Sequence, residues 1–338
     1  MRRATFTVAA LTALVLAGCG EPGSAGQSPE ATAPEGDQLE VCEAIPGEQL
    51  VVLDDDQGLQ TVDNVVPALH GPTATDDENL VGLLDEVSAL LTSETLIELN
   101  RAVDVDRRTS TEVAAELIES EGLDDQPDVG QGRPIVVGAG NFSESATLAA
   151  LYAGVLDAAG YETVTQTIGN RETYLPALET GVLTVVPEYV GTLTEVLNQR
   201  VNGADAPAVA SSDLEETLAS LRDLGEGAGL VIGEPAEAQN RNAFAVTTAF
   251  ADEHGVSTLS ELAAVCAVDL GGPPECPERP FCQPGLEDTY GLQVVDFTSL
   301  DAGGPLTKAA LQQGQIAVGL VFSSDAALAP QGPATADD

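Results

Sequence analysis

Residues 134–144 read Pro-Ile-Val-Val-Gly-Ala-Gly-Asn-Phe-Ser-Glu. Ile135, Val136 and Val137 with Gly138 make a short buried strand, small residues form a corner, and Ser143 is placed to cap a helix. Leu148, Leu151, Tyr152, Val155 and Leu156 recur on one helical face, and Gly160 supplies a stop. The unit then repeats: a strand over Val164–Thr167, a helix over Arg171–Thr180, a strand over Val182–Val186 and a helix over Tyr189–Leu197. Such alternation specifies parallel sheets flanked by helices, so the fold class is α/β. After a helix over Leu214–Leu224, the strand Ala243–Thr247 reads as the passage into a second lobe. That lobe continues through Cys266–Leu270, Val294–Phe297 and a helix over Pro305–Gln313, and closes on a strand over Ile316–Phe322.

Upstream, Leu50–Leu53 is a strand ended by three aspartates. Three helices follow: Asn79–Leu91, Glu94–Val103 after Ser93, and Glu112–Glu121 after Ser110 or Thr111. Leu80, Leu83, Leu84, Val87 and Leu91 share a helical face and predict a core contact. A Gly/Asp-rich link, residues 122–133, joins this block to the strand at 135.

The N-terminus is an address. Arg2 and Arg3 precede an apolar run too short to span a bilayer, so residues 1–18 are expected to be a signal peptide. Leu16-Ala17-Gly18-Cys19 resembles a bacterial lipobox, which implies lipidation of Cys19 and a membrane anchor on the extracytoplasmic face. Residues 19–40, rich in Gly, Pro, Ser and Ala, form a flexible tether, and residues 326–338 a disordered tail. The remaining cysteines are even in number, as suits an exported chain with two disulfides, and three connectivities are open. Cys276–Cys282 is favoured because only a Pro-rich loop separates the two, which leaves Cys42–Cys266. Zinc is the competing use, but no Cys-x-x-Cys knuckle is present, so no metal is expected.

The net charge of −43, with only 12 Lys and Arg, excludes nucleic-acid binding, which needs clustered cations. Two histidines without motif partners, and no Gly-x-Ser-x-Gly, His-Glu-x-x-His, phosphate loop or dinucleotide fingerprint, argue against an enzyme and against a cofactor.

Several segments together carry a family resemblance: Val136–Glu144, Gly169–Gly181, Pro187–Thr194, Leu270–Leu286 with Tyr290-Gly291, Asp301–Thr307 and Val321–Asp325. With Leu50–Pro67 and the helices up to Leu123, they resemble the substrate-binding lipoproteins of glycine betaine, carnitine and choline (osmoprotectant) ABC importers. The resemblance implies a type II periplasmic-binding-protein fold, two α/β lobes with a ligand cleft between them. It also implies a circularly permuted order, in which residues 41–123 are the family's closing block moved to the front. Lobe one is then residues 41–238 and lobe two 239–325. One crossing between lobes coincides with the new termini, so looser restraint is expected unless Cys42–Cys266 ties the lobes.

The same resemblance implies a monomeric receptor for a small quaternary-amine or zwitterionic ligand, serving an ABC permease with its ATPase. A receptor for another small cationic or amino-acid-like solute, or a sensor lipoprotein uncoupled from transport, is the alternative. The family surrounds a quaternary ammonium with aromatic rings by cation–π attraction and grips the carboxylate with polar groups. Carried to this chain, Tyr189 is a cage wall with Thr192 beside it, Phe322 a second wall, and Arg279 a carboxylate partner. Gly140 and Asn141 offer backbone N–H groups at a helix start. Asp63 and Asn242 stand where the family places Tyr, which implies a cage half aromatic and half polar. Arg171 ranks below Arg279 as a ligand partner.

Overall fold

The computed structural model describes residues 39–326 and Leu328. The expected signal peptide, Cys19, the tether up to Gln38, and the tail apart from Ala326 and Leu328 lie outside the described residues. No helix among the described residues is long and apolar enough to cross a membrane.

The chain builds two five-stranded sheets. The first contains β2 (Val65–His70), β3 (Pro134–Ala139), β4 (Glu162–Thr167), β5 (Val185–Tyr189) and β6 (Leu230–Ile232), in the order β4-β3-β5-β2-β6. The second contains β1 (Leu50–Leu53), β7 (Asn242–Thr247), β8 (Val268–Gly272), β9 (Val294–Ser299) and β10 (Val318–Phe322), in the order β1-β7-β10-β8-β9. Neither sheet is purely parallel, contrary to the alternation argument. β2 runs antiparallel to β5 and β6, and β7 runs antiparallel to β1 and β10. The physical cause is common to both: each is the first strand laid down after the chain enters its sheet from the other lobe.

The helical stripes fall where their periodicity predicts. The helix Ser143–Ala158 buries Leu148, Leu151, Tyr152, Val155 and Leu156, which share one core with Leu80, Leu83, Leu84, Val87 and Leu91 of the helix Glu78–Leu90 and its end. Several local expectations are corrected. Ser143 does not cap its helix; it is the first helical residue, and its hydroxyl donates to Asp104 at 3.1 Å. Thr92 and Thr109 cap the second and third of the upstream helices, so that Ser93 and Ser110, expected just before them, are their first helical residues; Thr109 does so in a reciprocal box with Glu112. The fifth strand starts at Val185, not Val182, because Val182 and Leu183 still bond back to Ala177 of the preceding helix.

The lobe boundaries also change. β1 pairs with β7 from Leu50↔Thr247 to Leu53↔Phe244, and Leu53 packs with Phe244 and Val246 in the second core. The segment from 41 through β1 therefore belongs to lobe two, and the chain crosses between lobes twice, before β2 and before β7. The crossings lie side by side: Asn64 and Gln239 form an antiparallel bridge, Val65 N–H donates to Ala238 O at 2.9 Å, and Asn240 N–H to Asp63 O at 3.0 Å. The looser interlobe restraint expected from the chain order does not follow.

Both expected disulfides are formed, Cys42–Cys266 and Cys276–Cys282. Cys42–Cys266 does not tie the lobes; both cysteines sit in the second core, where the bond pins the segment around Val41 beside β8. It closes a loop of 224 residues. Replacing both cysteines by serine should cost about 2–5 kcal/mol of unfolding free energy in urea titrations. Peptide maps of the unreduced protein should contain both pairs, and a free thiol at Cys42 or Cys266 would contradict the pairing.

Candidate functional site

The two crossings and the C-terminal ends of the central strands meet at a cleft between the lobes, with an empty volume of about 670 Å³ including its mouth. That is the size range of small-molecule sites. All eight residues expected at a ligand site line it: Asp63, Gly140, Asn141, Tyr189, Thr192, Asn242, Arg279 and Phe322. Several of them are engaged by partners within the protein.

Tyr189 ends β5, and Phe322 ends β10 opposite Asn242 in register. Between them stands Phe142, its ring centroid 6.3 Å from that of Tyr189 and 5.8 Å from that of Phe322. Gly140 makes room for this ring, since a Cβ there would lie 2.9 Å from it. Tyr174 adds a fourth ring to the lining, its hydroxyl donating to Glu188 at 2.9 Å. Burial, and then the Glu188 carboxylate, push the Tyr174 hydroxyl far above its ordinary range, so it remains a donor. The wall is more aromatic than the expected half. Phe142 and Tyr174 were inside the quoted segments, but neither spacing nor periodicity assigns them to a cavity.

The cations in the cleft are already engaged. Arg171 is buried and gives Glu188 three hydrogen bonds of 2.7–3.0 Å. Burial works against the guanidinium charge, but Glu188, Tyr174 and Asp63 together outweigh it and keep Arg171 protonated. Arg279, expected to hold a ligand carboxylate, instead forks across the cleft to Glu172 at 2.9 and 3.0 Å and reaches Glu275 at 3.3 Å. Half-burial alone would raise the Glu172 carboxyl, yet Arg279 draws it below its usual value. The backbone amides expected to meet a carboxylate are likewise used: Gly140 N–H donates to Ser145 and Asn141 N–H to Gly169 O.

The polar residues divide by role. Asp63 accepts from the Thr192 N–H at 2.9 Å and from the Thr192 hydroxyl, fixing the start of the helix Val190–Asn202 to the first crossing. Gly191 permits this approach, since a Cβ there would meet Val62 O at 2.2 Å. Asn242 donates to Phe281 O at 3.0 Å. Asn240, on the second crossing, also lines the cleft; its Oδ1 is buried without a hydrogen-bond partner among the described residues. Behind Tyr189, outside the lining of this cleft, Glu144 is 4% exposed and accepts four hydrogen bonds. They come from Asn100 at 2.6 Å, Tyr189 at 2.5 Å, Asn240 at 2.7 Å and Ser324 at 2.6 Å. The two imidazoles are elsewhere, His70 bonded to Thr73 and His254 tilted against the Phe250 ring.

A family model described as the substrate binding domain of ABC-type glycine betaine transport systems matches residues 43–120 and 133–331. The chain belongs to that family. It is 30% identical over 186 residues to a glycine-betaine-binding protein of Pseudomonas aeruginosa, a match covering 51% of this chain and 57% of that protein's length. Among solved structures it is similar to the unliganded open form of a periplasmic murein tripeptide binding protein, MppA. That likeness has 12% identity over 59% of this chain and 44% of the other, at a TM-score of 0.25, too low to bear on the fold.

Burial drives the Asp63 carboxyl up to about 6, against the Thr192 hydrogen bonds and Arg171, which lower it. Its folded value thus exceeds the unfolded one, so the native state binds the extra proton between pH 4 and 6. Asp63 contributes stability that is present at low pH and lost as pH rises through 6, about 3 kcal/mol in all. Urea titrations at pH 4.5 and 7.5 should show the wild type gaining on Asp63→Asn as pH falls; a constant difference would contradict the shift.

Proposed function

We propose that this protein is the extracytoplasmic solute receptor of an ABC importer, held to the membrane through lipidated Cys19. It takes a quaternary-ammonium or zwitterionic osmoprotectant, of the glycine betaine, choline and carnitine class, between its lobes and delivers it to a membrane permease. The family supports an osmoprotectant-type ligand. The observation that carries the reading is the convergence of Phe142, Tyr189 and Phe322 on a cleft whose arginines are both neutralised by carboxylates. π-faces with uncompensated acid nearby attract a desolvated cation, and the N-methyl groups of a quaternary amine need no hydrogen bonds.

Closure follows from where the groups sit. Arg279 of lobe two meets Glu172 of lobe one over the cleft, and Asn100 donates to Ser324 O at 3.1 Å between the lobes. A ligand filling the space between the rings adds contacts to both lobes only in this closed arrangement, and so favours it. A permuted chain order is compatible with this scheme, since residues 121–132, between the two matched blocks, do not line the cleft. A second reading, a cation with N–H or O–H donors, is favoured by the unpartnered Asn240 Oδ1 and by Asp63. Choline, whose hydroxyl donates, satisfies both readings.

A thermal-shift screen against choline, glycine betaine, carnitine and ordinary amino acids should raise the melting temperature for the quaternary amines. At a hundredfold excess over Kd the gain should be about 2.7 kcal/mol. In calorimetry, Tyr189→Ala should weaken binding by about 1–2 kcal/mol. A response confined to amino acids, or unchanged affinity in the variant, would overturn the proposal.

A further inference from the structure

Glu144 has an unusual setting for a buried acid. Its four partners are all neutral donors, and no Arg, Lys or His pairs with it among the described residues. A buried carboxylate is normally neutralised by a cation or a metal, because neutral donors compensate its desolvation only in part. Each donor belongs to a different part of the molecule: Asn100 to a helix of lobe one, Tyr189 to the cleft wall, Asn240 to the second crossing, and Ser324 to lobe two beyond β10. Glu144 does not line the ligand cleft. Two of its donors line that cleft, Asn240 at 2.7 Å and the Tyr189 hydroxyl at 2.5 Å, and of the two only Tyr189 brings a π-face.

We propose that Glu144 determines the cleft's preference for a cation, acting through Tyr189 without touching the ligand; this rests on the receptor reading above. A phenol that donates to a carboxylate gains electron density in its ring, and the carboxylate's own charge lies just beyond the ring's hydroxyl edge. Both effects strengthen attraction for a cation placed against the ring, and both act in a site shielded from water. An uncharged molecule of the same shape gains neither. Burial, followed by the Glu144 charge, holds the Tyr189 hydroxyl protonated far above its ordinary range, so the donor persists at working pH. The missing positive partner of Glu144 is then the ligand's own ammonium, held on the face of the ring whose hydroxyl Glu144 accepts.

The test compares each ammonium ligand with its carbon isostere: choline with 3,3-dimethylbutan-1-ol, and glycine betaine with 3,3-dimethylbutanoate. Competition calorimetry on the full chain would measure both members of each pair for wild type, Tyr189→Phe, Glu144→Gln and the double variant. Tyr189→Phe keeps the ring and removes only the donor, so it carries the test even where Glu144→Gln is poorly folded. Each single variant should lose about tenfold in ammonium-over-isostere selectivity, with the isostere's own affinity little changed. The double variant should lose no more than either single one, because both break one connection. A purely structural Glu144 would weaken both members equally and leave the ratio intact, which would overturn the inference alone. Wild-type protein that binds neither choline nor glycine betaine would instead overturn the receptor reading on which it stands.

Discussion

The arrangement depends on one local interaction, the antiparallel pairing of the two segments that pass between the lobes. Asn64 and Gln239 bridge, Val65 and Asn240 exchange backbone hydrogen bonds with the opposite segment, and Asn64 Nδ2 donates to Ala236 O at 2.8 Å. Because the pairing is main chain to main chain, it sets the two lobes at a defined spacing whatever side chains flank it. It also brings Asp63 and Asn240 to the floor of the cleft. Each then reaches outward: Asp63 to Thr192 at a helix start, and Asn240 to Glu144 at another. The hinge and the candidate ligand site are thus the same few residues.

Charge is the second constraint. A chain with 55 acids and 12 basic residues has few cations to spend on a binding site. The two arginines in the cleft are consumed by Glu188, Glu172 and Glu275, leaving Asp63 and Glu144 held by neutral donors. A cleft so balanced repels free anions and accepts positive charge at its aromatic wall. Arg279 then has a structural place as a clasp between lobes, and a ligand carboxylate would have to compete with Glu172 for it.

Much of this was legible in the chain. The stripe from Leu148 to Leu156 and that from Leu80 to Leu91 depend on local periodicity, and both fell in one core. Gly140, Asn141, Tyr189 and Thr192 lie at strand-to-helix corners, which a sheet end presents to a cleft, whereas Asp63, Asn242, Arg279 and Phe322 were implied only by the family resemblance; all eight line the cleft. What each does there depends on partners from distant segments, which no spacing encodes. Arg279 meets Glu172 across the cleft, and the donors to Glu144 come from positions 100, 189, 240 and 324. β2 escaped the strand pattern because Pro67 interrupts it, although its neighbours are fully buried. β1 was recognisable as a strand, but its sheet is decided by pairing with β7, two hundred residues away in the chain. Phe142 had no role assigned from the sequence; the opening left by Gly140 leaves room for its ring beside Tyr189 and Phe322.

The claim at the centre is that a quaternary ammonium sits among Phe142, Tyr189 and Phe322 between the two lobes. A crystal structure of the protein grown with saturating choline, or with glycine betaine, tests this most directly. The account predicts electron density for the trimethylammonium group in contact with those three rings, with Tyr189 still bonded to Glu144. Density for the ligand elsewhere on the protein, or a closed cleft that holds only water, would contradict it.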